Sequence, residues 1–259
     1  MPDGTRLRLC ERGEGDRVVV LVHGWKMSHR VFDRAIELLQ RRCRVIAYDL
    51  RGMGESDKPV GPYNFGVHAA DLQFLLHEFQ LEDVTLVGWS MGCTVSLEYV
   101  RRYGDRIARL VLVNGPIKLT QAPDFPWTMT DEVLDRYVHE LAASWPEQER
   151  QFTREAFHVA NEDTVEWIYH IALQTPLPIV LEHVREQRQL DFRDFLPKIR
   201  VPVLALYGRH DPYYPVELAD YIAERVPRGE RSILDSGHFV FHEESERFVE
   251  LVTDFAEGR

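Results

Sequence analysis

A chain of 259 residues, 44% hydrophobic and 28% charged, suits one α/β domain with room for an inserted element. Its formal net charge of -11, with no basic cluster, argues against nucleic acid or an anionic membrane surface as a partner. No stretch approaches the roughly 18 apolar residues of a membrane span. The N-terminus lacks an apolar signal region, and the three cysteines Cys10, Cys43 and Cys93 suit a reducing, cytoplasmic setting.

In chain order, a continuous β-branched run over residues 17–22 predicts a parallel strand buried on both faces. A helix is expected over 31–39, a strand over 43–48, and a helix over 64–77 with Val67, Ala70, Leu72, Leu75 and Leu76 apolar. Residues 84–87 read as a buried strand and 93–102 as a helix; between them lies Gly88-Trp89-Ser90-Met91-Gly92. Residues 110–113 are a further parallel-type strand. The strand rhythm then stops. Residues 117–198 read as helices over 130–143, 146–159, 163–173 and 179–189, with Thr130 and Asp163 as N-caps and Glu166 completing a capping box. The segment is rich in aromatic residues, among them Trp127, Trp145, Phe152 and Trp167. The rhythm resumes with a strand over 201–207, a helix over 216–226, a strand over 231–234 and a helix over 243–256. Residues 1–116 and 199–259 are therefore expected to form a doubly wound, mostly parallel sheet, with 117–198 inserted as a helical cap.

Gly-x-Ser-x-Gly on a sharp strand-to-helix turn is a nucleophile elbow: it lifts the serine above the sheet, over a helix N-terminus that favours negative charge. Ser90 needs a base, and His238, in the loop after the last strand, lies at the carboxyl edge of the sheet. The base needs a carboxylate, and Asp211 follows the strand ending at Tyr207; Asp235, beside the histidine loop, is the weaker candidate. His77, His139, His158 and His170 read as surface or cap residues. An oxyanion site would use the backbone N–H of Met91 and that of Trp25, in the loop His23-Gly24-Trp25. His23 reads as an organiser of that loop, Cys93 as a small buried thiol, and Trp25, Trp127 and Phe239 as lining a substrate pocket.

These segments resemble α/β-hydrolases of the non-haem haloperoxidase and arylesterase-like group. The matching pieces are His23-Gly24-Trp25, the run Ile46-Ala47-Tyr48-Asp49-Leu50-Arg51-Gly52-Met53-Gly54-Glu55-Ser56, the elbow at Ser90, Gly208-Arg209-His210-Asp211 and Ser236-Gly237-His238-Phe239. The resemblance implies a Ser90–Asp211–His238 triad, an oxyanion donor at Trp25, a structural role for 49–56, and neither metal nor other cofactor. Related dehalogenases and epoxide hydrolases carry Asp at the elbow, where this chain has Ser90. Carbon–carbon hydrolases usually carry Trp where Phe239 stands. Cofactor-independent dioxygenases of hydroxyquinolones share the Gly24-Trp25 and His29-Arg30-Val31 region but usually carry His where Met91 stands.

The expected function is a serine hydrolase that cleaves a small to medium, mostly apolar or aromatic carboxylic ester or lactone through an acyl-enzyme, with a perhydrolase side reaction. The alternatives are the dioxygenase and the carbon–carbon hydrolase.

Overall fold

The computed structural model describes all residues, 1–259. Seven strands form one sheet: β1 (Leu9–Arg12), β2 (Val18–Val22), β3 (Arg44–Tyr48), β4 (Val84–Trp89), β5 (Ile107–Val113), β6 (Val203–Gly208) and β7 (Gly229–Leu234). They lie in the order β1-β3-β2-β4-β5-β6-β7. Only β1 is antiparallel, pairing with β3; the other neighbours are parallel. The all-apolar β2 is buried throughout because it is covered on both faces. Val18, Val20 and Val22 join one core and Val19 and Leu21 the other, as the two-residue period of a strand requires. Helices α2 (Phe65–Glu78), α3 (Met91–Arg102) and α8 (Val216–Arg225) supply the first core. The second is supplied by α1 (Asp33–Leu39), the short α9 (Val240–Glu243) and α10 (Ser245–Glu257). No helix is long and apolar enough to cross a membrane.

The chain leaves β2 towards β3 and returns across it to β4, so the loops after β2 and β4 open a crevice at the strands' carboxyl ends. Ligands of doubly wound sheets bind at such a switch point. Between β5 and β6 the chain forms α4 (Asp131–Ala143), α5 (Glu147–Glu155), α6 (Glu162–Ala172) and α7 (Leu177–Gln187), with isolated bridges but no strand. Thr130 caps α4 as expected, accepting from Val133 N–H at 3.3 Å. The expected cap Asp163 lies inside α6. Asn161 caps it instead, accepting from Thr164 N–H at 3.1 Å, because its extended backbone aims its side chain at the free amides. Helices α2 and α7 meet through two fully buried histidines, His68 and His183, whose Nε2 atoms lie 2.9 Å apart.

Burial also keeps His23 and His242 neutral, lowering each from 6.5 to about 4. Below pH 6.5 the unfolded chain takes up protons that the folded chain refuses. Stability is therefore complete above pH 6.5 and is lost as the pH falls towards 4. At pH 5 the loss for His23 is about 2 kcal/mol. The urea midpoint should fall between pH 7 and pH 5. His242 sits among the rings of Phe157, Trp167, Phe239 and Phe241. His242→Phe should make that fall shallower while changing the midpoint at pH 8 little.

Candidate active site

Strand β4 turns into α3 within a single residue. Ser90 makes the turn with φ 53° and ψ −122°, a conformation that L-residues adopt only under constraint, and its N–H donates to Val113 O at 2.9 Å. The constraint is the close approach of helix to sheet. A Cβ on Gly92 would stand 2.2 Å from Val22 O, so only glycine fits. Ser90 precedes α3 but its side chain does not cap it, which leaves Oγ uncommitted and the first amides of the helix, Met91's among them, facing forward. The loop after β2 lies against this turn: a Cβ on Gly24 would meet Ser90 Cβ at 3.0 Å. The next amide, that of Trp25, donates to no group of the protein.

His23 organises that loop. Its Nδ1–H donates to Gly24 O at 2.8 Å, and its Nε2 accepts from Leu50 N–H at 2.9 Å. Both ring nitrogens are thus engaged far from any proton-transfer role. Asp49 accepts from the backbone N–H of His29 and Glu55, each at 2.7 Å, and holds the 49–56 turn. Asp235 lies at the surface, 2.9 Å from His210 Nε2.

Asp211 and His238 come together from the ends of β6 and β7. His238 Nδ1 lies 2.7 Å from Asp211 Oδ2, with the Asp211 side chain fully buried and that of His238 nearly so. The other carboxylate oxygen accepts from the N–H of Tyr213 at 2.8 Å and of Tyr214 at 3.2 Å, so the carboxylate is fixed from two sides. This arrangement places the imidazole proton on Nδ1 and leaves Nε2 as an acceptor. The ring is boxed by Tyr213 and Trp89, centroids 5.1 and 5.2 Å away.

Asn114, absent from the expected site, ties these parts together. Its Nδ2 donates to Gly237 O and His238 O, each at 3.0 Å, and its Oδ1 accepts from Gly208 N–H at 2.7 Å. It is fully buried at the end of β5 with φ 42°, a conformation asparagine tolerates better than most residues. Its place after a buried strand and before Gly115 was a usable signal, because that is the edge at which Ser90 and Asp211 also stand. Cys93 is buried as expected, its Sγ donating to Gly88 O at 3.0 Å, and burial pushes its thiol well above the ordinary range.

Ser90 and His238 line one cavity of about 580 Å³. Trp25, Trp127 and Phe239 line it too, as do Phe152, Tyr137 and Tyr213, which sequence reading did not single out for the pocket. Their signal was weak because aromatic residues on helices such as α4 and α5, or in a loop such as that after β6, serve packing equally well.

A mostly parallel sheet with a serine turn, a buried acid–histidine pair and a largely apolar cavity beside them defines a hydrolase-type architecture. The chain matches the family model of the alpha/beta hydrolase fold over residues 17–245, and it belongs to that family. It is 30% identical over 259 residues to the pimeloyl-(acyl-carrier protein) methyl ester esterase of Vibrio cholerae serotype O1, covering 94% of this chain and 95% of that protein. The esterase EaEST from Exiguobacterium antarcticum superposes with a TM-score of 0.94 at 27% identity, over 98% of this chain and 97% of that one. A bromoperoxidase from Bacillus anthracis does so with a TM-score of 0.92 at 27% identity, over 98% and 96%.

Asn114→Ala would leave Gly237 O and the Gly208 N–H, both buried, without a partner, while His238 O keeps the Trp89 indole N–H at 2.9 Å. It should lower the stability by about 3 kcal/mol or more, read from urea unfolding at pH 8.

Proposed function

We propose that the protein is a serine hydrolase that cleaves small to medium, mostly apolar carboxylic esters or lactones through an acyl-enzyme. The observation that carries this reading is the Asp211–His238 hydrogen bond at the wall of the cavity that Ser90 also lines. His238 Nε2 takes the proton from Ser90 Oγ as it attacks the carbonyl carbon, and Asp211 stabilises the imidazolium. The oxyanion is held by the N–H groups of Trp25 and Met91. His238 returns the proton to the leaving oxygen, then activates the water that releases the acid. No metal or cofactor takes part in these steps.

The cavity supports this substrate class. Its volume of about 580 Å³ suits a small organic molecule. Leu119, Leu134 and Val184 join the aromatic residues in its wall, and the charged residues that also line it are one basic, Arg136, against two acidic, Glu140 and Glu155. Residues 117–198, acting as a cap over the site, carry fifteen acidic against eight basic residues, so most of the chain's -11 falls in this segment. Such a field disfavours anionic substrates and favours neutral ones. The esterase names borne by several relatives agree with an ester as substrate.

A fluorophosphonate should label Ser90 alone, located by mass spectrometry of the digest. Ser90→Ala should abolish labelling and lower kcat on an aryl ester by about 10³-fold or more. Retained turnover in that variant, or oxygen uptake with a hydroxyquinolone, would overturn the mechanism.

Trp127 lines the cavity while packing against Phe125 and Tyr221, centroids 5.2 and 4.7 Å away. Trp127→Ala should lower kcat/KM for long acyl esters relative to acetate by about 10-fold or more, since a lost apolar contact discriminates by about 1–3 kcal/mol. An equal loss for every ester, together with a lower Tm, would assign Trp127 to packing alone.

A further inference from the structure

Lys26 is one of two lysines or arginines whose side chains are almost wholly buried, and it stands immediately after Trp25. Its backbone is left-handed, φ 67°. Its ammonium pairs with Glu149 of α5, and both side chains are shut off from solvent. Nζ has no other hydrogen-bond partner and lies 4.1 Å from the centroid of the Trp25 ring and 4.2 Å from that of Phe152. The Glu149 carboxylate also accepts from Thr153 Oγ1 at 3.3 Å.

The pair is not explained by stability. Taking two charges out of water costs about as much as their attraction returns, and a well-packed apolar pair is often equally stable. What the pair does supply is direction. The Trp25–Lys26 segment is held at three points, all from the inserted helices or their connections: the Trp25 indole donates to Val180 O at 3.0 Å, Thr175 Oγ1 donates to Lys26 O at 3.2 Å, and Glu149 holds the ammonium. Helix α5 is in turn fixed to the other half of the site. His238 N–H donates to Ala156 O at 2.7 Å, and Tyr213 OH donates to Phe152 O at 3.3 Å. One short helix thus spans the loop after β2 and the loop that carries His238.

We propose that Lys26 and Glu149 are positioning residues for the oxyanion site: through their buried pair, α5 sets the Trp25 amide against Ser90 in register with His238. The proposal rests on the serine-hydrolase reading. Its energetic content is that a small displacement of the amide weakens transition-state binding far more than substrate binding.

The test compares wild type, Glu149→Gln and Lys26→Met/Glu149→Leu with an aryl acetate and with an aryl trifluoromethyl ketone, whose hemiketal adduct with Ser90 Oγ mimics the tetrahedral oxyanion. In the double variant the Tm should return to within a few degrees of wild type, because no charge is left buried. Its kcat should stay about 10-fold or more below wild type with KM within about threefold. The inhibition constant of the ketone should rise by the same factor. Glu149→Gln, which keeps the hydrogen bond and the shape, should show the same split at smaller size and serves if the double variant does not fold. A variant with its charges removed that works at the wild-type kcat and binds the ketone as tightly would show that the pair only packs. Failure of wild type to be phosphonylated at Ser90 would overturn the hydrolase reading itself, and the positioning role with it. Normal labelling with an unaffected variant would overturn the positioning role alone.

Discussion

The backbone of Ser90 is the constraint on which the rest of the site depends. A serine at φ 53° and ψ −122° costs of the order of 1–3 kcal/mol, and the surrounding structure must hold it there. It does so because β4 is a central strand, paired with β2 on one side and β5 on the other, so its end cannot relax sideways. Gly92 lets α3 press against the carbonyl of Val22, and Gly24 lets the neighbouring loop press against Ser90 itself. The serine, the loop amides and the acid–histidine pair thus share one rigid reference, the carboxyl ends of β2, β4, β5, β6 and β7.

Much of this was legible in the sequence because the elements concerned obey strong local rules. Continuous β-branched runs such as residues 18–22 have no other stable home than the middle of a parallel sheet. The glycines around Ser90, and the ordering of Ser90, Asp211 and His238 after successive strands, are enough to predict that these three residues share one edge of the sheet. The family membership agrees with the expected fold, and the esterase relatives agree with hydrolase chemistry in general.

What escaped was of two kinds. The first is weak local signal. Strand β1 has four residues, two of them charged, and only partial burial, so nothing in Leu9-Cys10-Glu11-Arg12 announces that it pairs with β3. Edge strands are often disguised in this way, since charge on an edge discourages unwanted pairing. The start of α6 was misplaced by two residues because Asn161 and Asp163 are both competent caps, and backbone geometry alone decides between them. The second kind is long-range pairing. Lys26 and Glu149 are 123 residues apart and each looks like a solvated surface residue. Asn114 gains its meaning only from carbonyls that approach from the far end of the chain. Periodicity and motif spacing carry no record of such partners.

The two buried histidines between α2 and α7 bear on how the inserted helices could be exchanged. With their Nε2 atoms 2.9 Å apart, one ring must carry its hydrogen on that nitrogen and the other must leave it bare. The pair is neutral and asymmetric: burial lowers His183 to about 3 and His68 well below its usual value, so a second proton is refused. Neither histidine therefore has a satisfactory companion of another type without a compensating change across the gap. A helical segment transplanted onto this sheet without a histidine at position 183 would strand His68 in a buried setting. Chimaeras between members of the family should be spliced with positions 68 and 183 moved as one unit, and natural drift at either should be paced by the other.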